Sequence, residues 1–151
     1  MHRVAIIPAR SGSKRIPKKN ILEIDNMPLI GHVISIAQST QLFDEIIISS
    51  DSEEIIRIAS EFGASAPFRR PDSLADDFAT TIDVIRHAVD ELSIQDAAHV
   101  CCIYPTAIMS RPETIFGALE RLRLSEAEFC FPITKFQSHP LRGFKFNDSN
   151  S

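Results

Sequence analysis

Residues 4–20 read VAIIPARSGSKRIPKKN, an apolar run of six that breaks into a loop carrying Arg10, Lys14, Arg15, Lys18 and Lys19 around a single glycine, Gly12. A short run that is apolar at successive positions, rather than at alternate ones, fits a strand covered on both faces, as in a parallel sheet. Sheets of that kind bind ligands beyond the carboxyl ends of their strands. The basic loop therefore starts where a ligand would sit, and its charge points to an anion.

Working outward, the same logic repeats. Residues 28–39 carry Leu29, Ile30, Val33, Ile34 and Ala37 on a helical stripe, with Pro28 at the first turn. Residues 45–49 are a second strand. The stretch DSEEIIRIASEFG, residues 51–63, predicts a helix with Asp51 as N-cap, Glu54 as its reciprocal partner and Gly63 as its stop. Residues 64–68 suggest a short strand. RRPDSLADDFATT, residues 69–81, is a loop leading into a helix over 81–92, in which the adjacent Asp76 and Asp77 read as a solvated turn, with an acidic pair facing a nucleotide site as the alternative. Residues 99–104 are a buried strand, and SRPETIFGALERL opens a helix at Ser110 with Glu113 completing a capping box. Residues 128–134 read as a further strand, and 143–146 suggest another. Alternating strands and helices with continuously apolar strands predict an α/β fold: a doubly wound, mostly parallel sheet with helices on both faces. A chain of 151 residues suits one domain, here residues 1–151.

The net charge of −4 excludes a general nucleic-acid binder, so the basic loop is a local feature. No apolar stretch approaches the roughly 20 residues of a membrane span. The opening run is too short for a secretory leader and passes directly into charge, so the expected location is the cytoplasm. Cys101, Cys102 and Cys130 have neither metal nor disulfide spacing and read as buried free thiols. The five histidines are scattered, without metal or triad spacing.

In the basic loop, Arg10, Lys14 and Lys19 would supply charge to a triphosphate, while Ser11, Gly12 and Ser13 would offer backbone N–H groups. A solvated surface turn is the alternative. Two familiar phosphate motifs fail: Lys14 is followed by Arg15 rather than Ser or Thr, and one glycine cannot supply a dinucleotide fingerprint.

IIPARSGSKRIPKKNI closely resembles the signature of the cytidylyltransferases that activate nonulosonic and related sugar acids. The resemblance continues through SSDSEEI, RRPDSLADDFATT and CIYPTA, up to about residue 135. It implies a Rossmann-like nucleotidyltransferase fold and a transfer of CMP from CTP to the anomeric hydroxyl of a nonulosonic acid. Pyrophosphate is released, and the product serves surface glycan or flagellin glycosylation. It also implies catalytic roles for Arg10, Lys14 and Lys19 at the phosphates, and nucleotide contacts for Ser11, Gly12, Ser13, Asn20, Arg70 and Thr81. Alternatives remain for two of these: Arg70 as a salt bridge to Asp72 or Asp76, and Thr80 and Thr81 as helix caps. Mg²⁺ is the implied cofactor, its protein ligands unknown, because the family's metal aspartates lie beyond the matched region. The complete enzyme is expected to be a homodimer, and this chain to be incomplete at its C-terminal end. A non-catalytic nucleotide-binding module is the rival of another class.

The informative departure is CCIYPTAIMS. Sialic acid enzymes of the group place Gln where this chain has Tyr104. A Gln amide suits a hydroxyl-rich sugar, whereas Tyr offers a flat apolar face with one polar tip. Tyr104 is thus the expected sugar-contacting residue, and the sequence resembles the pseudaminic branch, with sialic acid as the alternative acceptor. The competing reading of Tyr104 is an aromatic packed at the strand end.

Overall fold

The computed structural model describes residues 1–94 and 98–135. The chain divides into two compact units, Met1–Gly117 and Ala118–Ser151. In the first, β1 (Arg3–Pro8) is the central strand, and Val4, Ala5, Ile6 and Ile7 are fully buried. A left-handed Lys18 (φ 52°) leads into a 3-10 turn over Lys19–Ile21. A small antiparallel ribbon follows, β2 (Glu23–Ile24) and β3 (Met27–Pro28), turning through Asp25 and Asn26 at φ 50° and 61°. Its two-residue turn has the positive-φ geometry that Asp and Asn tolerate best after glycine.

Helix α1 (Leu29–Ser39) buries the stripe read from the sequence, and β4 (Glu45–Ser49) then pairs parallel to β1 with Val4 opposite Glu45 and Pro8 opposite Ser49. Helix α2 (Glu53–Glu61) ends before Gly63, whose φ of 87° is the left-handed conformation that a helix stop requires. Helix α3 (Thr81–Glu91) starts from a complete capping box between Thr80 and Asp83. Strand β5 (His99–Cys102) pairs parallel to the other side of β1, giving the order β4-β1-β5, and α4 (Pro112–Arg123) follows.

Strand alternation divides β1 between two cores. Ala5 and Ile7 join Ile30, Val33, Ile34, Ile55 and Ala59 from α1 and α2. Val4 and Ile6 join Ala88 of α3. Helices therefore cover both faces, as the unbroken apolar strand requires. The chain moves from β1 outward to β4, then crosses to β5 on the opposite side. That reversal opens a crevice at the carboxyl ends of β1 and β5.

Several expectations are corrected. The N-cap of α2 is Ser52, whose hydroxyl accepts from the Ile55 N–H, because the Asp51 carboxylate is engaged elsewhere. Helix α4 begins at Pro112, which suits a first helical position, so Ser110 lies too early to cap it. Residues 64–68 form a single bridge, Ile47 with Ser65, rather than a strand. Strand β5 stops at Cys102 and is only half buried, since among the described residues nothing pairs with its outer edge. Residues 128–134 form no strand: Phe129, Phe131 and Ile133 are exposed, and alternation without a partner strand among the described residues cannot satisfy a backbone. The thiols are free, yet only Cys101 is partly buried, its pKa pushed up to about 11 by desolvation and then by Cys102. Cys102 and Cys130 are exposed. The suggested strand at 143–146 lies outside the described residues.

Candidate functional site

The loops leaving β1 and β5 meet, together with residues from the 70–84 segment, around a cavity of about 720 Å³, the size range of small-ligand sites. Arg10, Ser13, Lys14, Lys19, Asn20, Arg70, Thr81 and Tyr104 all line it. Eight of the ten residues singled out from the sequence are thus brought to one place. Ser11 and Gly12 are not on its wall.

The basic loop is held in shape by contacts that local sequence does not reveal. Asn20 is buried and donates from Nδ2 to the Arg10 carbonyl at 2.8 Å, closing the loop's base. Asp51, just past β4, accepts from the Ser11 backbone N–H at 2.9 Å and from the Ser11 hydroxyl. Burial pushes the Asp51 pKa up, but the Ser11 bonds and the nearby Arg70 charge outweigh it and hold the carboxyl below its ordinary value. Lys18 donates to both oxygens of Glu54 at 2.9 and 2.8 Å, which uses its charge structurally. Lys19 faces the cavity and makes no ion pair among the described residues. A Cβ on Gly12 would meet only the Ala75 carbonyl, at 4.0 Å, so no contact among the described residues requires glycine there.

Arg70 is the buried cation of the site, 3% exposed. It forms neither of the salt bridges considered from sequence. Its Nε donates to the Ser49 hydroxyl at 3.1 Å and its Nη2 to the Ser49 carbonyl. Desolvation lowers its pKa to about 10, partly offset by Asp51, so it stays charged at neutral pH. The neighbouring Arg69 takes the loop role instead, reaching the Asp51 carbonyl at 2.9 Å and Asp72 at 3.8 Å.

Thr80 caps α3, which frees Thr81. The Thr81 hydroxyl lies 2.6 Å from the Tyr104 hydroxyl. Tyr104 is half exposed, so it does not pack into the sheet as the competing reading had it. Asp77 is not a solvated bystander: it bridges Arg10 Nη2 at 2.8 Å and Lys14 Nζ. The Lys14 bond first, then the Arg10 bond, holds its carboxyl below the ordinary value. The Asp76 side chain accepts from the Phe78 and Ala79 N–H groups at 2.9 and 2.8 Å, and its carbonyl accepts from Arg10 at 2.6 Å. Asp51 and Asp77 are the residues whose roles the sequence reading missed. Both stood in motifs already singled out, and each carboxylate had a cationic or serine-rich loop as its available partner.

The carboxylates on the cavity wall are Asp76 and Asp77, and both are committed to protein donors. Among the described residues no group of three or more His, Cys, Asp or Glu side chains could hold a metal. These residues therefore do not build a magnesium cage. No helix among the described residues is long and apolar enough to cross a membrane.

The cytidylyltransferase family profile matches residues 4–142. A pseudaminic acid cytidylyltransferase of Campylobacter jejuni subsp. jejuni serotype O:2 is 41% identical over 152 aligned positions, covering 99% of this chain and 66% of the relative. An N-acylneuraminate cytidylyltransferase of Escherichia coli O18:K1:H7 is 41% identical over 127 positions, covering 84% of this chain and 30% of the relative. A solved CMP:2-keto-3-deoxy-manno-octonic acid synthetase complexed with CTP has the same fold, with a TM-score of 0.72 at 24% identity over 84% of this chain and 49% of that one. The chain spans about two thirds of the length of its pseudaminic acid relative. On the profile match across its sheet, its basic loop and its cavity wall, the chain belongs to the cytidylyltransferase family.

Proposed function

We propose that residues 1–151 belong to a nucleotidyltransferase domain that transfers CMP from CTP to the anomeric hydroxyl of a nonulosonic acid, with pseudaminic acid as acceptor. The observation that carries this reading is the convergence of Arg10, Lys14 and Lys19 on one cavity with Arg70, Thr81 and Tyr104. The three cations take the triphosphate, with the Ser13 backbone beside them and the Ser11–Gly12 turn behind. Arg70 and Thr81 lie on the nucleoside side.

In this reaction the anomeric hydroxyl gives up its proton to solvent and its oxygen forms a bond to the α-phosphorus while the bond to the oxygen bridging to the β-phosphate breaks, the electron pair leaving with pyrophosphate. Negative charge accumulates on the departing pyrophosphate. Cations fixed beforehand stabilise that charge without reorganising at the moment of transfer. Holding acceptor and phosphate together supplies much of the remaining advantage. Magnesium is the expected cofactor and would supply further positive charge at the phosphates, where Arg10, Lys14 and Lys19 are the protein's own cations.

Tyr104 favours the pseudaminic acceptor. Its hydroxyl is already engaged by Thr81, which leaves the ring face for an acceptor bearing acetamido and methyl groups. Sialic acid is the second reading, favoured by the E. coli relative of equal identity over a shorter match. A cytoplasmic homodimer is the proposed setting. The test is pyrophosphate release by the complete enzyme from CTP and magnesium with pseudaminic acid, sialic acid or 3-deoxy-octulosonic acid as acceptor. Release with pseudaminic acid supports the reading; release with sialic acid alone transfers it to the second. CTP binding without release on any acceptor leaves a nucleotide-binding module.

A further inference from the structure

Asp77 places its two carboxylate oxygens on two different cations, Oδ1 on Arg10 and Oδ2 on Lys14. A phosphate group would present its oxygens to the same pair in the same way. Resting on the phosphate role proposed above, we propose that Asp77 is a built-in counter-ion, which the triphosphate displaces on binding and which returns to Arg10 and Lys14 as pyrophosphate leaves.

Three observations support this. First, a carboxylate beside a polyphosphate is a like charge at short range, and such a pair is unfavourable unless one member moves or is neutralised. Second, Lys14 is 81% exposed along its side chain, so its ammonium can follow either anion. Third, the segment carrying Asp77 is free to yield. Between the 3-10 turn at Asp72–Leu74 and the start of α3, its hydrogen bonds and ion pairs outside its own neighbourhood go, among the described residues, only to the basic loop, through Arg10 and Lys14. Asp76 keeps the segment's own turn closed through Phe78 and Ala79, so it can lift as a unit. Phe78 at its tip is 89% exposed.

Residues 75–79 are therefore a strap latched to the basic loop by the cations that later grip the phosphates. The latch sets selectivity by phosphate content. A ligand with several phosphates outcompetes one carboxylate, whereas a monophosphate product meets a rival of similar charge, which favours its release.

The test titrates inorganic pyrophosphate, CTP and cytidine into the unaltered chain and into Asp77→Asn. Removing the rival charge should tighten pyrophosphate roughly three- to tenfold and leave cytidine unchanged. Weaker or equal pyrophosphate binding by Asp77→Asn, with cytidine unchanged, would mean that Asp77 positions the cations, and would overturn the counter-ion role. A measurement needing no variant is amide exchange over residues 75–79 of the unaltered chain. Exchange should rise when pyrophosphate is added; a fall or no change at saturating pyrophosphate would contradict release of the strap. Failure of the unaltered chain to bind CTP would remove the phosphate site itself, whereas CTP binding with the wrong response at Asp77 removes only the counter-ion.

Discussion

Asp51 and Ser11 stand forty residues apart in sequence, yet one carboxylate accepts both the backbone N–H and the hydroxyl of the serine. This contact ties the carboxyl end of β4 to the turn of the basic loop. The Asp51 pKa lies below the ordinary 3.8, so the tie stabilises the fold above that value and is lost as pH falls through the lowered one. Asp51→Asn should cost on the order of 1 kcal/mol at neutral pH, after allowance for solvent screening. The difference from the unaltered chain should shrink as pH drops below about 4. Denaturant unfolding of both proteins at pH 7 and pH 3 checks it, and a difference unchanged at pH 3 would show that the charge is not involved.

Lys19 faces the cavity with no ion pair among the described residues. Replacing it with Ala should weaken CTP by about 1 to 3 kcal/mol, the value of a charge-assisted bond, and leave cytidine unaffected. Parallel titrations with the two ligands read the difference directly.

Arg70 reaches Ser49 with two nitrogens from a buried position. Lysine carries charge but has a single donor head, so it cannot reproduce the fork. Arg70→Lys should therefore destabilise the fold by about 1 to 3 kcal/mol, seen as a lower midpoint in thermal or urea unfolding. Stability equal to that of the unaltered chain would place the value of Arg70 in ligand contact alone.

Much of the fold was legible because burial imposes a period. β1, β4, α1 and α3 follow directly from apolar spacing, and Gly63 marks its helix end for a steric reason. The errors arose where a distant partner overrode local chemistry. Asp51 has the composition and position of an N-cap, but Ser11 claims its carboxylate, and Ser52 caps in its place. Asp77 resembles a turn residue until the folded chain brings Arg10 and Lys14 to it. Residues 128–134 alternate like a strand, but alternation fixes a side-chain pattern and not a partner.

Tyr104 and Thr81 share a hydrogen bond at the cavity wall. Tyr104→Gln should shift acceptor preference from pseudaminic acid toward sialic acid by roughly ten- to a hundredfold, the range expected when buried acceptor hydroxyls gain or lose partners. Tyr104→Phe, which keeps the ring and removes only the hydroxyl, should retain the pseudaminic preference. Ratios of kcat/KM for the two acceptors in the complete enzyme measure both. A ratio indifferent to Tyr104→Gln would remove Tyr104 from the sugar site.

Recognition of CTP through its phosphates by the loop over residues 4–20 is tested most directly by calorimetric titration of the unaltered chain with CTP and with CMP. CTP should bind more tightly than CMP, and the advantage should shrink as salt screens Arg10, Lys14 and Lys19. Equal affinity for the two nucleotides, or no binding of CTP, would contradict phosphate recognition by this loop.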